Sequence, residues 1–227
     1  MELLSSCVSA TAMAMIKVHG YQLSTATAMV RACLNEKELE YEFLIVDLSK
    51  GAHKQPPFLA LNPFGQVPVI QDGDLTLFES RAIVKYLAKK YEGQGTNLLG
   101  STIGEQAMVE QWSHVESQSF TAPCSEVVLQ ILIVPMIGGK TDQAVVESNL
   151  KKLSNVLDIY EERLSKSKYL AGSFFSLADL QHLSYIHALV NLAGQGEVVT
   201  SRVHVKTWWE DISSRPAWKK VAEAMKL

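Results

Sequence analysis

The sequence predicts an α/β unit over residues 14–92, in the order β-α-β then β-β-α, followed by an all-α unit over residues 105–227. Three observations carry this. Short apolar/polar alternations recur in the first part, as half-buried strands require. Residues 93–104 are rich in Gly, Thr and Asn and read as a linker. Beyond them alternation stops, and apolar residues return every three or four positions, the period of a helix face.

Ile16 and Val18 alternate with polar neighbours between Met15 and Gly20, which predicts the first strand. Ser24 and Thr25 are suited to cap a helix, because a short side-chain oxygen accepts a free backbone N–H. Ala26, Met29, Val30, Cys33 and Leu34 then form one apolar stripe. A second alternating run, 41–46, follows. A strand, a helix and a strand in about 30 residues describe a parallel crossover unit. Asn62-Pro63-Phe64-Gly65 marks a turn, and Val67-Pro68-Val69-Ile70 is a short strand with a proline in it. Such a proline belongs at an edge, a start or a bend. A cis bond before Pro68 would turn the chain sharply and leave the Val67 backbone to face an extended peptide; an ordinary trans edge proline is the alternative. Asp72-Gly73 signals a hairpin. Glu79-Ser80 opens another helix, with Ile83, Val84, Leu87 and Tyr91 on its apolar side.

In the second half Met108, Val109, Trp112 and Val115 recur at helical spacing, and Pro123 is expected to bend or break that helix. A long amphipathic helix is predicted over 141–164. Ser176-Leu177-Ala178-Asp179 resembles a capping box with Asp in place of Glu. Asp179 and His182 share a helix face, but two ligands are too few for a metal site. Trp208, Trp209 and Trp218 are expected to pack in the core or between the units.

Composition excludes several classes. The chain has 227 residues, 20% charged, with a net charge of −3. No basic footprint for nucleic acid or anionic membrane is present. No uninterrupted apolar run is long enough to cross a membrane; the longest, 127–137, contains Gln130 and Pro135. Cys7, Cys33 and Cys124 are scattered, which argues against a disulfide framework, a zinc site or a dithiol motif. A reducing, cytoplasmic location and no bound metal are expected. Residues 1–13 lack the basic start of a secretory signal and the arginines of a transit peptide. They are expected to be a disordered extension, with organelle (plastid) targeting as the alternative and Met13 or Met15 as possible effective starts.

Chemistry is expected at strand ends facing the two helix starts, at Ser24-Thr25 and Glu79-Ser80, where free N–H groups and the helix dipole receive anions. Ser24 lacks the elbow or triad of a serine nucleophile. As a cap it is purely structural. Alternatively its O–H donates to a bound thiolate, since hydrogen bonding to the charged form lowers a pKa. Lowering a thiol from about 8.5 by about 2 units takes about 2.7 kcal/mol of differential interaction.

Several stretches together resemble the soluble glutathione transferases, the plant phi class in particular. They are Leu23-Ser24-Thr25-Ala26-Thr27, Gly51-Ala52-His53-Lys54, Asn62 through Pro68, Phe78-Glu79-Ser80-Arg81-Ala82-Ile83 and Ser176 through Leu180. The similarity runs from about residue 15 to the C-terminus. It implies a thioredoxin-like N-terminal domain that binds glutathione as co-substrate and a helical domain that supplies a hydrophobic pocket. Ser24 matches the catalytic serine. Glu79 and Ser80 match the γ-glutamyl ligands, Val67 with Pro68 the backbone clamp, Gln66 a side-chain ligand, and His53 and Lys54 the partners of the glycine carboxylate. Thr25, Leu48 and Phe120 resemble residues lining the electrophile pocket. One departure is Ala28-Met29, where many phi sequences carry Arg; here Arg31 comes slightly later.

The activity implied is attack of the glutathione sulfur on hydrophobic electrophiles, with reduction of organic hydroperoxides as a second activity, in a cytosolic, homodimeric plant detoxification enzyme. The principal alternative is a non-catalytic ligandin carrying hydrophobic metabolites such as flavonoids. The retained Ser24 favours the enzyme. A thiol transferase would want cysteine at position 24, and a scaffold would have no use for the intact set of His53, Lys54, Gln66, Glu79 and Ser80.

Overall fold

The computed structural model describes residues 15–225; the expected disordered extension over 1–13 lies outside them. Strand β1 (Ile16–Gly20), helix α1 (Thr25–Glu36) and strand β2 (Tyr41–Ile45) form the crossover unit. β1 and β2 are parallel, with Val18 opposite Phe43. A 3-10 turn (Ala52–Lys54) and short helix α2 (Pro56–Leu59) lead to β3 (Val69–Asp72) and β4 (Leu75–Phe78). These pair antiparallel around Gly73, whose φ of +62° suits the tight turn. Helix α3 (Ser80–Lys90) closes the unit. The sheet order is β2-β1-β3-β4, the mixed sheet of a thioredoxin-like domain.

The predicted apolar faces build the core of this half. Met29, Val30, Cys33 and Leu34 of α1 and Ile83, Val84 and Leu87 of α3 are wholly buried, in one cluster with Val18 and Ile70 of the sheet. Each such side chain contributes about 1.5–3 kcal/mol by leaving water. Arg31 braces the outer side, its guanidinium 4.6 Å from the centre of the Phe43 ring.

The second half is helical. Helix α4 (Ile103–Val115) starts at a reciprocal cap. Thr102 Oγ1 accepts the Glu105 N–H at 3.1 Å, and the Glu105 carboxylate accepts the Thr102 N–H at 3.0 Å. A π turn (Glu116–Phe120), helix α5 (Thr121–Val128), a second π turn (Leu129–Ile133) and α6 (Val134–Met136) continue the same rod. The expectation that Pro123 breaks the helix is therefore corrected. A π turn precedes each proline, Pro123 and Pro135. The wider ladder accommodates a residue that has no N–H and whose ring crowds the preceding turn. The resulting 34-residue helix, Ile103–Met136, is long and apolar enough by length and composition to cross a membrane, contrary to the reading of uninterrupted runs. Its apolar side has an internal use: Val109, Phe120, Cys124 and Val127 are buried in the core.

Helix α7 (Gln143–Leu164) is capped by Asp142, which accepts the Ala144 N–H at 3.0 Å. Then come α8 (Leu177–Leu180), α9 (Leu183–His187), a π turn (Ala188–Leu192), α10 (Glu197–Thr200), α11 (Val203–Ser213) and α12 (Pro216–Ala222). Asp179 reaches back as expected of the box. Its buried carboxylate accepts the Ser176 N–H and Oγ–H, both at 3.1 Å, the Leu170 N–H at 3.0 Å and the Trp208 Nε1–H at 2.9 Å. The tryptophans are core residues, and Trp218 is 1% exposed on α12. The two halves are joined by bidentate pairs. Arg215 reaches Glu36 of α1 at 2.6 Å, and Arg81 of α3 reaches buried Glu116 at 2.7 and 2.8 Å.

Candidate active site

A polar cleft of about 490 Å³ opens where α1, the 52–68 loop and α3 converge. Ser24 arrives there as the N-cap of α1 (φ −74°, ψ 119°), its Oγ accepting the Thr27 N–H at 3.2 Å. That bond uses Oγ as an acceptor and leaves its proton available.

The opposite wall is the loop. Asn62 Nδ2 donates to the Gln66 carbonyl at 2.7 Å, and Asn62 Oδ1 accepts the Phe64 N–H at 3.0 Å. Lys54 Nζ donates to the Phe64 carbonyl at 3.0 Å. Gly65 is required at the centre: its φ is +58°, and a Cβ there would sit 2.7 Å from the His53 carbonyl oxygen. The Val67–Pro68 bond is cis. His53 Nδ1 is buried with no hydrogen-bond partner.

The third wall is the start of α3. Glu79 precedes the helix at φ +69°, a region a glutamate rarely enters without tertiary support. Ser80 is buried at the first turn, where backbone N–H groups are free to receive an anion. The cleft thus brings together Ser24, His53, Lys54, Gln66, Val67, Pro68, Glu79 and Ser80. The Lys54 ammonium and the His53 ring stand at one end. A carboxylate and a helix N-terminus stand at the other.

A second pocket of about 480 Å³ adjoins the first and is lined mainly by apolar side chains. Thr25 and Leu48 line it, as the sequence reading expects. Phe120 does not, and that expectation is corrected: Phe120 is wholly buried, stacked 6.2 Å from Tyr160 and edge-on at 4.6 Å to His182. The π turn ending at Phe120 shifts the register. The residues of this helix that face the pocket are Ala122, Ser125, Glu126, Val128, Leu129, Leu132, Ile133 and Met136. Treating Pro123 as a break hid this wall, because the helix runs on through the proline and the π turns on either side of it. Sequence reading also missed Arg81 and Tyr185. Arg81 lines the polar cleft, and Tyr185 lines both cavities.

Fold and site together define a two-domain protein of thioredoxin-like architecture, with a polar cleft beside an apolar chamber. Its N-terminal half, residues 14–89, matches the family model "Glutathione S-transferase, N-terminal domain", and residues 125–216 match "Glutathione S-transferase, C-terminal domain". The chain belongs to the glutathione S-transferase family. Glutathione S-transferase F9 of Arabidopsis thaliana is 47% identical over 205 residues, covering 90% of this chain and 94% of the relative. The crystal structure of glutathione transferase F7 from Populus trichocarpa superposes with a TM-score of 0.91 at 50% identity, covering 94% of this chain and all of that one. Glutathione S-transferase I from maize, in complex with an atrazine glutathione conjugate, has a TM-score of 0.85 at 44% identity, covering 93% and 98%. The resemblance to plant phi-class transferases holds along nearly the whole chain.

Proposed function

We propose that the protein conjugates glutathione to hydrophobic electrophiles, with Ser24 holding the thiol as thiolate. One observation carries this reading. Ser24 Oγ stands where the polar cleft meets the apolar pocket, and it already accepts the Thr27 N–H, so its own proton is left to donate to sulfur. That bond favours the ionised form, and the N-terminal end of α1 adds a positive partial charge.

The tripeptide lies across the strand ends in this reading. Glu79 pairs with the γ-glutamyl ammonium. Ser80 and the first turn of α3 take the neighbouring carboxylate. The Val67 backbone, before Pro68, clamps the cysteinyl unit, and Gln66 holds its flank. Lys54 and His53 face the glycine carboxylate. The helical half, with Thr25 and Leu48, supplies the apolar wall. The maize relative, in complex with an atrazine glutathione conjugate, supports a site that takes glutathione together with an electrophile.

In the reaction the sulfur lone pair forms a bond to an electrophilic carbon and the leaving group or π pair departs. Reduction of organic hydroperoxides by the same thiolate, with a second glutathione to form the disulfide, is the accompanying activity. The working unit is a homodimer. Phe64, 64% exposed beside the cleft, is an apolar side chain that such a contact would cover. A native mass of one chain by sedimentation would remove the dimer from this reading.

The central test is Ser24→Ala. A thiol pKa near 6.5 leaves half the glutathione ionised at pH 6.5, against about 1% at the unshifted value of about 8.5. Turnover of a chromogenic aryl halide should therefore fall about 50-fold at that pH. Equal rates for the two proteins would refute the serine's role. Retention on immobilised glutathione without turnover in the unmodified protein would favour the ligandin.

A further inference from the structure

Among the described residues, Glu126 is the one charged side chain that lines the apolar pocket. No lysine, arginine or histidine accompanies it there; Lys54 and Arg81 stand in the polar cleft, which Glu126 does not line. We infer that Glu126 selects among electrophiles, favouring hydrophobic molecules that carry an ammonium group at the end remote from the reacting carbon and disfavouring those with a carboxylate there. This deepens the conjugation proposed above and rests on it.

Glu126 is held in place. It is half-buried on α5, with Ala122 one turn before it and Leu129 one turn after it on the same wall. Its Oε1 accepts the Gln130 Nε2–H at 3.1 Å. Gln130 is fixed in turn: its Oε1 accepts the Asp142 N–H at 3.0 Å, and its carbonyl accepts the Thr141 Oγ1–H at 2.9 Å. The bond to Gln130 orients the carboxylate but does not need its charge, because glutamine at 126 could accept the same N–H. The charge acts on what enters the pocket. An occupant strips water from the carboxylate, which costs free energy. A neutral apolar group gives nothing back. An ammonium group gives back a charge-assisted hydrogen bond. A second carboxylate adds repulsion, stronger here than in bulk water because the apolar wall lowers the dielectric.

The bond changes are those of the conjugation itself. With an activated aryl chloride, the thiolate lone pair forms the S–C bond at the chlorine-bearing carbon, and the ring and its nitro group take up the negative charge. Chloride then leaves with the C–Cl electron pair. Glu126 gives and takes no proton or electron pair in this sequence. It holds the remote end of the molecule, so its effect is on binding.

The experiment compares wild type with Glu126→Gln on three 4-chloro-3-nitrobenzamides, whose amide nitrogen carries an aminoethyl, a hydroxyethyl or a carboxymethyl arm. The reacting ring is the same in all three, and all report on one folded fraction, so intrinsic reactivity and partial misfolding cancel from the ratios. In Glu126→Gln the kcat/KM ratio of aminoethyl to hydroxyethyl substrate should fall about 10-fold, the difference between a charge-assisted and a neutral hydrogen bond, with the fall carried by KM. The ratio of carboxymethyl to hydroxyethyl substrate should rise. Ratios unmoved by the substitution would overturn the proposal. Turnover of the hydroxyethyl substrate by wild type separates the two readings. Without it, the conjugation reading and this selection of electrophiles fall together. With turnover and unmoved ratios, only the role of Glu126 fails.

Discussion

His182 shows how much one buried side chain can determine. Its Nδ1 lies 2.7 Å from the Ala178 carbonyl oxygen, which only accepts, so Nδ1 carries the proton. Nε2 therefore accepts the Tyr160 O–H at 2.9 Å. A second proton has no place, and burial holds the pKa down to about 3. The unfolded chain takes up that proton near pH 6.5. The neutral imidazole thus contributes stability that is complete above about 6.5 and is lost as pH falls toward 3, by about 1.4 kcal/mol per unit. Asp179 acts in the opposite sense. Burial pushes it up to about 6 against its four hydrogen bonds, so the folded state gains a proton first between about 6 and 3.8. The two effects offset, and a difference measurement separates them. His182→Gln should be less stable than wild type at pH 7, with the gap closing by roughly 2–3 kcal/mol by pH 4.5 in urea titrations. A gap independent of pH would place the acid sensitivity elsewhere.

Among the elements, those with local signals were legible in sequence. Ser24 caps α1 because a serine oxygen reaches the third N–H of a helix from any fold. The hairpin at Gly73 and the apolar faces of α1 and α3 follow from turn chemistry and period. The rod from Ile103 to Met136 was not legible, and the reason is physical. A π turn adds a residue without a sequence signature, and both prolines then sit in a continuing helix. That single shift moved Phe120 into the core and put Ala122, Ser125 and Glu126 on the pocket wall. The polar cleft was more legible than the apolar one. Its ligands come from contiguous motifs, whereas the apolar wall depends on which face of a long helix turns inward.

At the scale of the whole molecule the two halves are held in register by ion pairs as well as packing. Glu36 is 5% exposed at the end of α1, and it receives both arms of the Arg215 guanidinium and the Thr96 hydroxyl at 2.7 Å. The same guanidinium lies 3.9 Å from the centre of the Phe175 ring. Removing one partner of a buried pair leaves a charge without compensation, at a cost of about 3–5 kcal/mol. Arg215→Ala should lose about that much by chemical denaturation, and Glu36→Gln combined with Arg215→Met should recover most of it. A loss below about 1 kcal/mol in the single variant would mean the pair behaves as an exposed one. Because Tyr185 and the apolar wall belong to the helical half and Ser24 to the other, this register also sets the geometry of the junction.

By itself the sequence determined the order of elements, the α/β and all-α halves, and, through the family's short motifs, the residues that line the polar cleft. Each rests on interactions between near neighbours in the chain, such as caps, turns, alternation and short motifs. Only the tertiary structure decided that Phe120 is core, that Pro123 sits inside a continuous helix, and that Tyr185 meets Ser24 where two cavities join. Those facts depend on the rotation of one helix against another, and on pairs of residues far apart in the chain, such as Phe120 with Tyr160 and Ser24 with Tyr185, for which a linear pattern carries no signal.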